Sequence, residues 1–304
     1  MVENIDRPLS IPTDKKDAFR QLTRIPVFSW PVVTIAIGGI FLSIITVFAA
    51  LLGNIPYGLA TVILAFIFYW FFSVIHDAAH RSITQNKKLN DLIGQLVISL
   101  VLPYANLELL RWAHIEHHRF TNEKDSDPDY WSHGAWYTLP FRWATIDMNY
   151  ALRLFQSNSS NRHKLIRNFI PYLIFGLSII LLIIATGYGA EYFWLSFLPS
   201  RIMFMAIGFT FFWLPHNHWS GNEPEYEQKN NYSMATSIRR GKEWLMNLLL
   251  QYQNYHLVHH MWPTTPFYNN EKVYRLLEQE FSNRDLMVAE DFKIYPSFKP
   301  SSSN

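Results

Sequence analysis

Three histidine clusters dominate the chemistry this chain can do: His76-Asp-Ala-Ala-His80, His114-Ile-Glu-His117-His118 and His256-Leu-Val-His259-His260. Imidazoles spaced i, i+3 and i+4 share one face of a helix, so each cluster can bring two or three ring nitrogens to one point. His216 and His218 add a further pair. One ion offers about four to six coordination positions, so this many donors predicts two metal ions. There is no cysteine, which excludes disulfides, thiolate zinc sites, cysteine-held iron–sulfur clusters and a cysteine nucleophile. Imidazole suits zinc, copper, iron and nickel alike. The glutamate base of a zinc-hydrolase HExxH helix has no counterpart, because Glu116 stands in His-Ile-Glu-His order. His133 and His163 stand apart from the clusters and read as ordinary surface or core residues.

Something must hold these clusters, and composition says what. The 304 residues are 49% hydrophobic and only 16% charged, where a soluble domain carries roughly a quarter charged residues. Residues 31–75 contain no Asp, Glu, Lys or Arg. A spanning helix needs about 20 apolar residues, so this stretch is predicted to hold two, at 31–52 and 57–75. Gly53-Asn-Ile-Pro56 supplies the turn between them. A second hairpin is predicted at 169–188 and 194–215, broken at Gly187-Tyr-Gly-Ala-Glu191 and with Arg201 near the start of its last helix. The apolar run 92–107 is short and interrupted by Pro103, which suits an interfacial or re-entrant segment. The charged N-terminal stretch does not read as a signal peptide.

Every Lys and Arg except Arg201 lies in residues 1–30, 76–168 or 216–304. With four crossings these segments share one side, which the positive-inside rule makes cytoplasmic. The clustered histidines fall on that side, just below the bilayer. The expected fold is therefore all-α: a polytopic membrane protein with four transmembrane helices in two hairpins and a cytoplasmic helical cap carrying the histidines. Residues 1–304 read as a single membrane domain, with both termini and the metal site cytoplasmic and a bacterial inner membrane as the location. A net charge of +2 is too small for nucleic-acid binding.

Boxes of the form HxxxH, HxxHH and HxxHH, separated by two membrane hairpins, resemble the integral-membrane fatty-acid desaturase and hydroxylase superfamily over roughly Val74 to Tyr268. Locally, Val74-Ile-His-Asp-Ala-Ala-His-Arg81, Leu214-Pro-His216 and Gln253-Asn-Tyr-His-Leu-Val-His-His-Met-Trp-Pro263 are similar to the cyanobacterial- and plant-type β-carotene ring hydroxylases. The resemblance implies two non-haem irons, with O2 as co-substrate. The ligands it implies are His76, His80, His114, His117, His118, His216, His256, His259 and His260. It further implies a separate electron donor, a ferredoxin or cytochrome b5-like protein, since no haem domain is expected in the N-terminal 30 residues. Two outcomes stay open, desaturation or hydroxylation of an acyl chain and hydroxylation of a carotenoid ring, with the acyl chain leading.

Asp77, Glu116, His218 and Asn254 are candidates to orient ring N–H groups of the ligands. Asp125-Ser-Asp127-Pro-Asp129 reads as a solvated acidic turn, and Arg239, Arg240 and Lys242 as a basic juxtamembrane surface. A metal transporter would keep its polar ligands near the bilayer midplane, whereas these histidines stand at or beyond the helix ends. That reading and a membrane zinc hydrolase are remote alternatives.

Overall fold

Lipid offers no partner for a backbone amide, so long apolar stretches close their hydrogen bonds internally as helices. The computed structural model describes residues 9–217 and 226–302. Among these, four helices are long and apolar enough to cross a membrane: α2 (Trp30–Leu51), α3 (Tyr57–Ala79), α8 (Arg162–Ala185) and α9 (Gly189–Trp213). Before and between them run α1 (Lys16–Thr23), α4 (Lys87–Val101), α5 (Leu107–Phe120), α6 (Leu139–Ala144) and α7 (Ile146–Gln156). The C-terminal region adds α10 (Glu243–Leu249), α11 (His256–Met261) and α12 (Asn270–Leu276). The chain is mostly helical, as expected, with one addition. Strand β1 (Ser237–Arg240) pairs in parallel with β2 (Leu286–Glu290), which pairs antiparallel with β3 (Ser297–Lys299).

The chain gathers into two compact units. The membrane unit, residues 26–113 and 135–208, contains α2–α4, α6–α8 and most of α9. Pro31 in the first turn of α2 and Pro56 before α3 set the helix starts, where a missing N–H costs nothing. Gly53, at φ +73°, makes the turn between them. Residues 193–197 of α9 form a π-helical stretch, and the Thr61 hydroxyl donates to the Trp194 carbonyl there at 2.7 Å. The interrupted 92–107 run is resolved as α4, a break around Pro103, and the start of α5. Gly176 on α8 lies against that break: a Cβ there would fall 2.5 Å from the Pro103 carbonyl oxygen. Gly176→Ala is expected to destabilise by about 1–3 kcal/mol through overpacking, seen as a lower unfolding midpoint in detergent. An unchanged midpoint would show that the break yields.

Arg201 lies midway along α9, because that helix starts at Gly189. It is 8% exposed and grips Asp147 of α7 with two parallel bonds of 2.9 and 3.0 Å. It also donates to the Ala144 carbonyl at 2.7 Å. Tyr104 donates to the same carboxylate at 2.6 Å, and the Phe204 ring lies 4.9 Å from the guanidinium.

The second unit comprises the segment ending at Ile25, residues 114–134 and the chain from Phe209 onward. Its core is Ile238, Tyr255, Leu257, Val258, Val273, Leu277 and Phe281, with Phe19 and Trp262 packed against it. Phe19 of α1 meets Trp262 edge-on at 5.0 Å, and Asn269 donates to the Leu22 carbonyl at 2.9 Å. In this unit α1 therefore packs behind the third histidine box.

Candidate metal centre

The i, i+3, i+4 spacing does what helical geometry requires. On α5 it sets His114, His117 and His118 along one face, and on α11 it does the same for His256, His259 and His260. Within the second unit, His117, His216, His256 and His260 converge. All four are buried, and one ligand nitrogen from each lies within 4.8 Å of the others. The His256 and His216 Nε2 atoms are 3.0 Å apart, and those of His260 and His256 3.2 Å. A tetrahedron with metal–nitrogen bonds of about 2.0–2.1 Å has edges of ~3.3 Å, so the spacing fits four imidazoles around one cation.

Their outer nitrogens strengthen that fit. His117 Nδ1 meets both oxygens of Asp127 at 2.9 and 3.0 Å. His216 Nδ1 donates to the Ala235 carbonyl at 3.2 Å, and His256 Nδ1 to Gln253 Oε1 at 3.0 Å. His260 Nδ1 is 3.3 Å from the Thr121 hydroxyl, which itself donates to the His117 carbonyl. With each Nδ1 engaged by a protein group, the four Nε2 atoms are left facing one another. A divalent cation is the group that such a cluster accommodates.

A second set adjoins the first in the same unit. His118 Nε2 lies 3.2 Å from His114 Nε2 and 3.0 Å from His259 Nε2, and the His118 ring is 4.3 Å from that of His260. The first box belongs to the membrane unit. There His76 closes the last turn of α3 and His80 caps it, with their rings edge-on at 5.0 Å. Arg111 braces this helix end by donating to the Ala78 and Ala79 carbonyls at 2.9 and 3.0 Å, while paired with Asp91.

Electrostatics divide the first set. Burial opposes charge on His117, but Asp127 and then Asp129 outweigh it and push the imidazole up to about 9. Burial, followed by His117 and His256, holds His216 well below the ordinary histidine range. Burial, with His118 and His256, does the same for His260. His216 and His260 are therefore neutral at pH 7, the state that binds metal.

Several orienting groups differ from expectation. Asp127 and Asp129 are each 2% exposed, so the predicted solvated turn is an inward-facing carboxylate pair. Backbone N–H groups of Asp129 and Asn122 fix Asp127 at 2.8 and 2.9 Å. Glu116, two residues past His114, leaves the box face and pairs with Arg119 at 2.9 Å. Gln253, and not Asn254, orients His256; the Asn254 contribution is its carbonyl, which accepts from the Arg239 N–H at 2.7 Å. Asp77 keeps one oxygen 3.4 Å from His76 Nδ1. His218 lies outside the described residues. The Tyr232 hydroxyl, donating to the His260 carbonyl at 2.6 Å, and Gln228, donating to the His118 carbonyl at 2.8 Å, carried no sequence signal.

Loss of an orienting carboxylate typically costs about 10–100-fold in metal affinity. Asp127→Asn is expected to fall in that range, measured as metal retained against a graded chelator series. Retention equal to the parent protein would mean that Asp127 only packs the turn.

The fatty acid desaturase family model matches residues 52–291. Over 229 residues the chain is 28% identical to the sn-1 oleoyl-lipid 12-desaturase of a Synechocystis species, covering 65% of this chain and 61% of that one. A β-carotene ketolase of a Paracoccus species is 26% identical over 200 residues, covering 65% and 70% of the two chains. A shorter stretch of 70 residues is 39% identical to β-carotene 4-ketolase 3 of Haematococcus lacustris, covering 23% of this chain and 22% of that one.

Proposed function

The chain belongs to the fatty acid desaturase family, and on that premise we propose that it is an O2-dependent di-iron enzyme that desaturates or hydroxylates a lipid acyl chain. What carries this reading is the buried quartet His117, His216, His256 and His260, each with its Nδ1 engaged and its Nε2 turned inward. An all-nitrogen, non-thiolate donor set suits iron. We assign one ion to that quartet and a second to His114, His118 and His259; His76 and His80 of the first box are ligands that the family resemblance implies.

When bound, two irons would supply the electrons that turn O2 into an oxidant able to break an unactivated C–H bond. The chain's own residues prepare for this. Asp127 holds the proton on His117 Nδ1, so that ring presents Nε2 inward, toward the other three. Gln253, the Ala235 carbonyl and Thr121 fix the other three tautomers. Burial excludes bulk water, which would otherwise compete for coordination and quench reactive species. We place the whole chain in one catalytic membrane domain, with the boxes and both termini cytoplasmic in a bacterial inner membrane and electrons arriving from a separate ferredoxin or cytochrome b5-like donor.

Similarity to a lipid 12-desaturase over 229 residues supports the acyl chain. A second reading, oxidation of a carotenoid ring, draws support from the two ketolases. Expression in a β-carotene-producing host, with mass spectrometry of both fatty acids and pigments, separates the two. New double bonds or hydroxyls on acyl chains support the first; oxidised carotenoid with unchanged fatty acids replaces it. Purified protein holding zinc alone, with no O2 uptake, would end both.

A further inference from the structure

In the second unit, a rim of large apolar side chains faces outward where the fourth span ends, and the histidine centre does not use it. Trp244 and Leu248, one turn apart on α10, are 74% and 51% exposed, and Phe292, Ile294 and Tyr295 are 59%, 46% and 42% exposed. Such a cluster on a water-bathed surface marks an interaction site.

Local structure holds this rim rigid. Gly241, at φ +84°, turns the chain out of β1, and a Cβ there would collide with the Asp291 carboxylate. Asp291 N–H donates to the Arg240 carbonyl at 2.7 Å. Arg239, expected on a basic surface, is instead buried and donates to the Asp291 and Lys293 carbonyls. The Lys242 ammonium lies 4.9 Å above the Phe292 ring. The α10 turn and residues 291–295 therefore form one tied edge.

Position identifies what the edge touches. The Tyr295 ring meets that of Trp213 at 6.4 Å, and Trp213 is the last residue of the fourth span. Tyr295 therefore lies at the level of the lipid–water boundary. Aromatic rings rimmed by Arg240, Lys242 and Lys293 have the composition that settles at headgroup depth beside anionic lipid. The same edge leads into the site: in β1, Ile238 bridges to Tyr255 and Arg239 bonds the Asn254 carbonyl, directly before His256.

We propose that residues 241–249 and 291–295 form an interfacial anchor that inserts into the headgroup and upper acyl region of the leaflet where the fourth span ends, one strand removed from the third histidine box. The absence of cysteine makes a direct test simple. Trp244→Cys, Phe292→Cys and, as an exposed comparison on α12, Lys272→Cys each accept one environment-sensitive fluorophore in the full-length protein. The labelled proteins are reconstituted in phosphatidylglycerol–phosphatidylcholine nanodiscs. Labels at 244 and 292 are expected to be quenched several-fold more by nitroxide-bearing lipid than by aqueous iodide, with the order reversed at 272. Iodide quenching at 244 and 292 equal to that at 272 would overturn the anchor and leave a water-facing surface for a soluble protein. Monodisperse elution of each variant guards against misfolding, and these exposed positions carry no core packing.

Discussion

His260→Ala is expected to leave a folded protein that retains less metal and has lost about 100-fold or more of its turnover, above the ~10–100-fold typical of a lost outer partner. His260 is 3% exposed and its Nε2 lies 3.2 Å from that of His256. Removing it leaves three imidazoles and a polar void where a fourth donor stood. The carbonyl of His260 also accepts from Tyr232, but that bond belongs to the backbone and survives the substitution. Metal per chain and product formation should therefore fall together while the unfolding midpoint of the metal-free protein changes little. His163→Ala provides the contrast: His163 is exposed on α8, and both readouts should match the parent. A His260→Ala protein with the parent's metal content and full turnover would remove His260 from the proposed ligands.

The histidine boxes were legible because convergence along one helix face is a local property, written in spacings of three and four. The membrane helices were legible because an uncharged stretch of spanning length has few alternatives. What escaped depends on chain segments meeting. Asp125-Ser-Asp127-Pro-Asp129 has the composition of a solvated turn, and only the fold shows that Asp127 turns toward a histidine ten positions earlier. Gln253 and Asn254 are chemically equivalent neighbours, and the choice between them rests on where α11 begins. The sheet was invisible because its strands span four, five and three residues, too short for an alternating pattern to register. Helix ends drifted for a related reason. Hydropathy marks the hydrocarbon-matched part of α8 from residue 169, whereas the helix starts at Arg162 and carries Lys164 and Arg167 beyond it. The same drift placed Arg201 near a helix end, when its partner Asp147 and the true start of α9 put it at mid-span.

That misplacement leads to the largest stability effect expected. Asp147→Ala should destabilise the membrane unit by about 3–5 kcal/mol, because it strands a buried guanidinium that a partner had neutralised. Ala144 and Tyr104 cannot replace the carboxylate. The first offers a single carbonyl at 2.7 Å, and the second is a donor whose own acceptor would be gone. The adjacent Phe197 and Phe204 rings offer a cation only about 0.5–2 kcal/mol. The pair itself is a separate quantity. Replacing both members by apolar residues, Asp147→Leu with Arg201→Met, removes the desolvation cost along with the attraction and should recover most of the loss. A double-mutant cycle of unfolding free energies in bicelles reads both terms. If Asp147→Ala cost less than about 1 kcal/mol, in the range of an exposed ion pair, Arg201 would have to reach water by another route. If the double replacement were as damaging as the single one, the bidentate bond would be specifying how α7 meets α9, a role apolar packing could not assume.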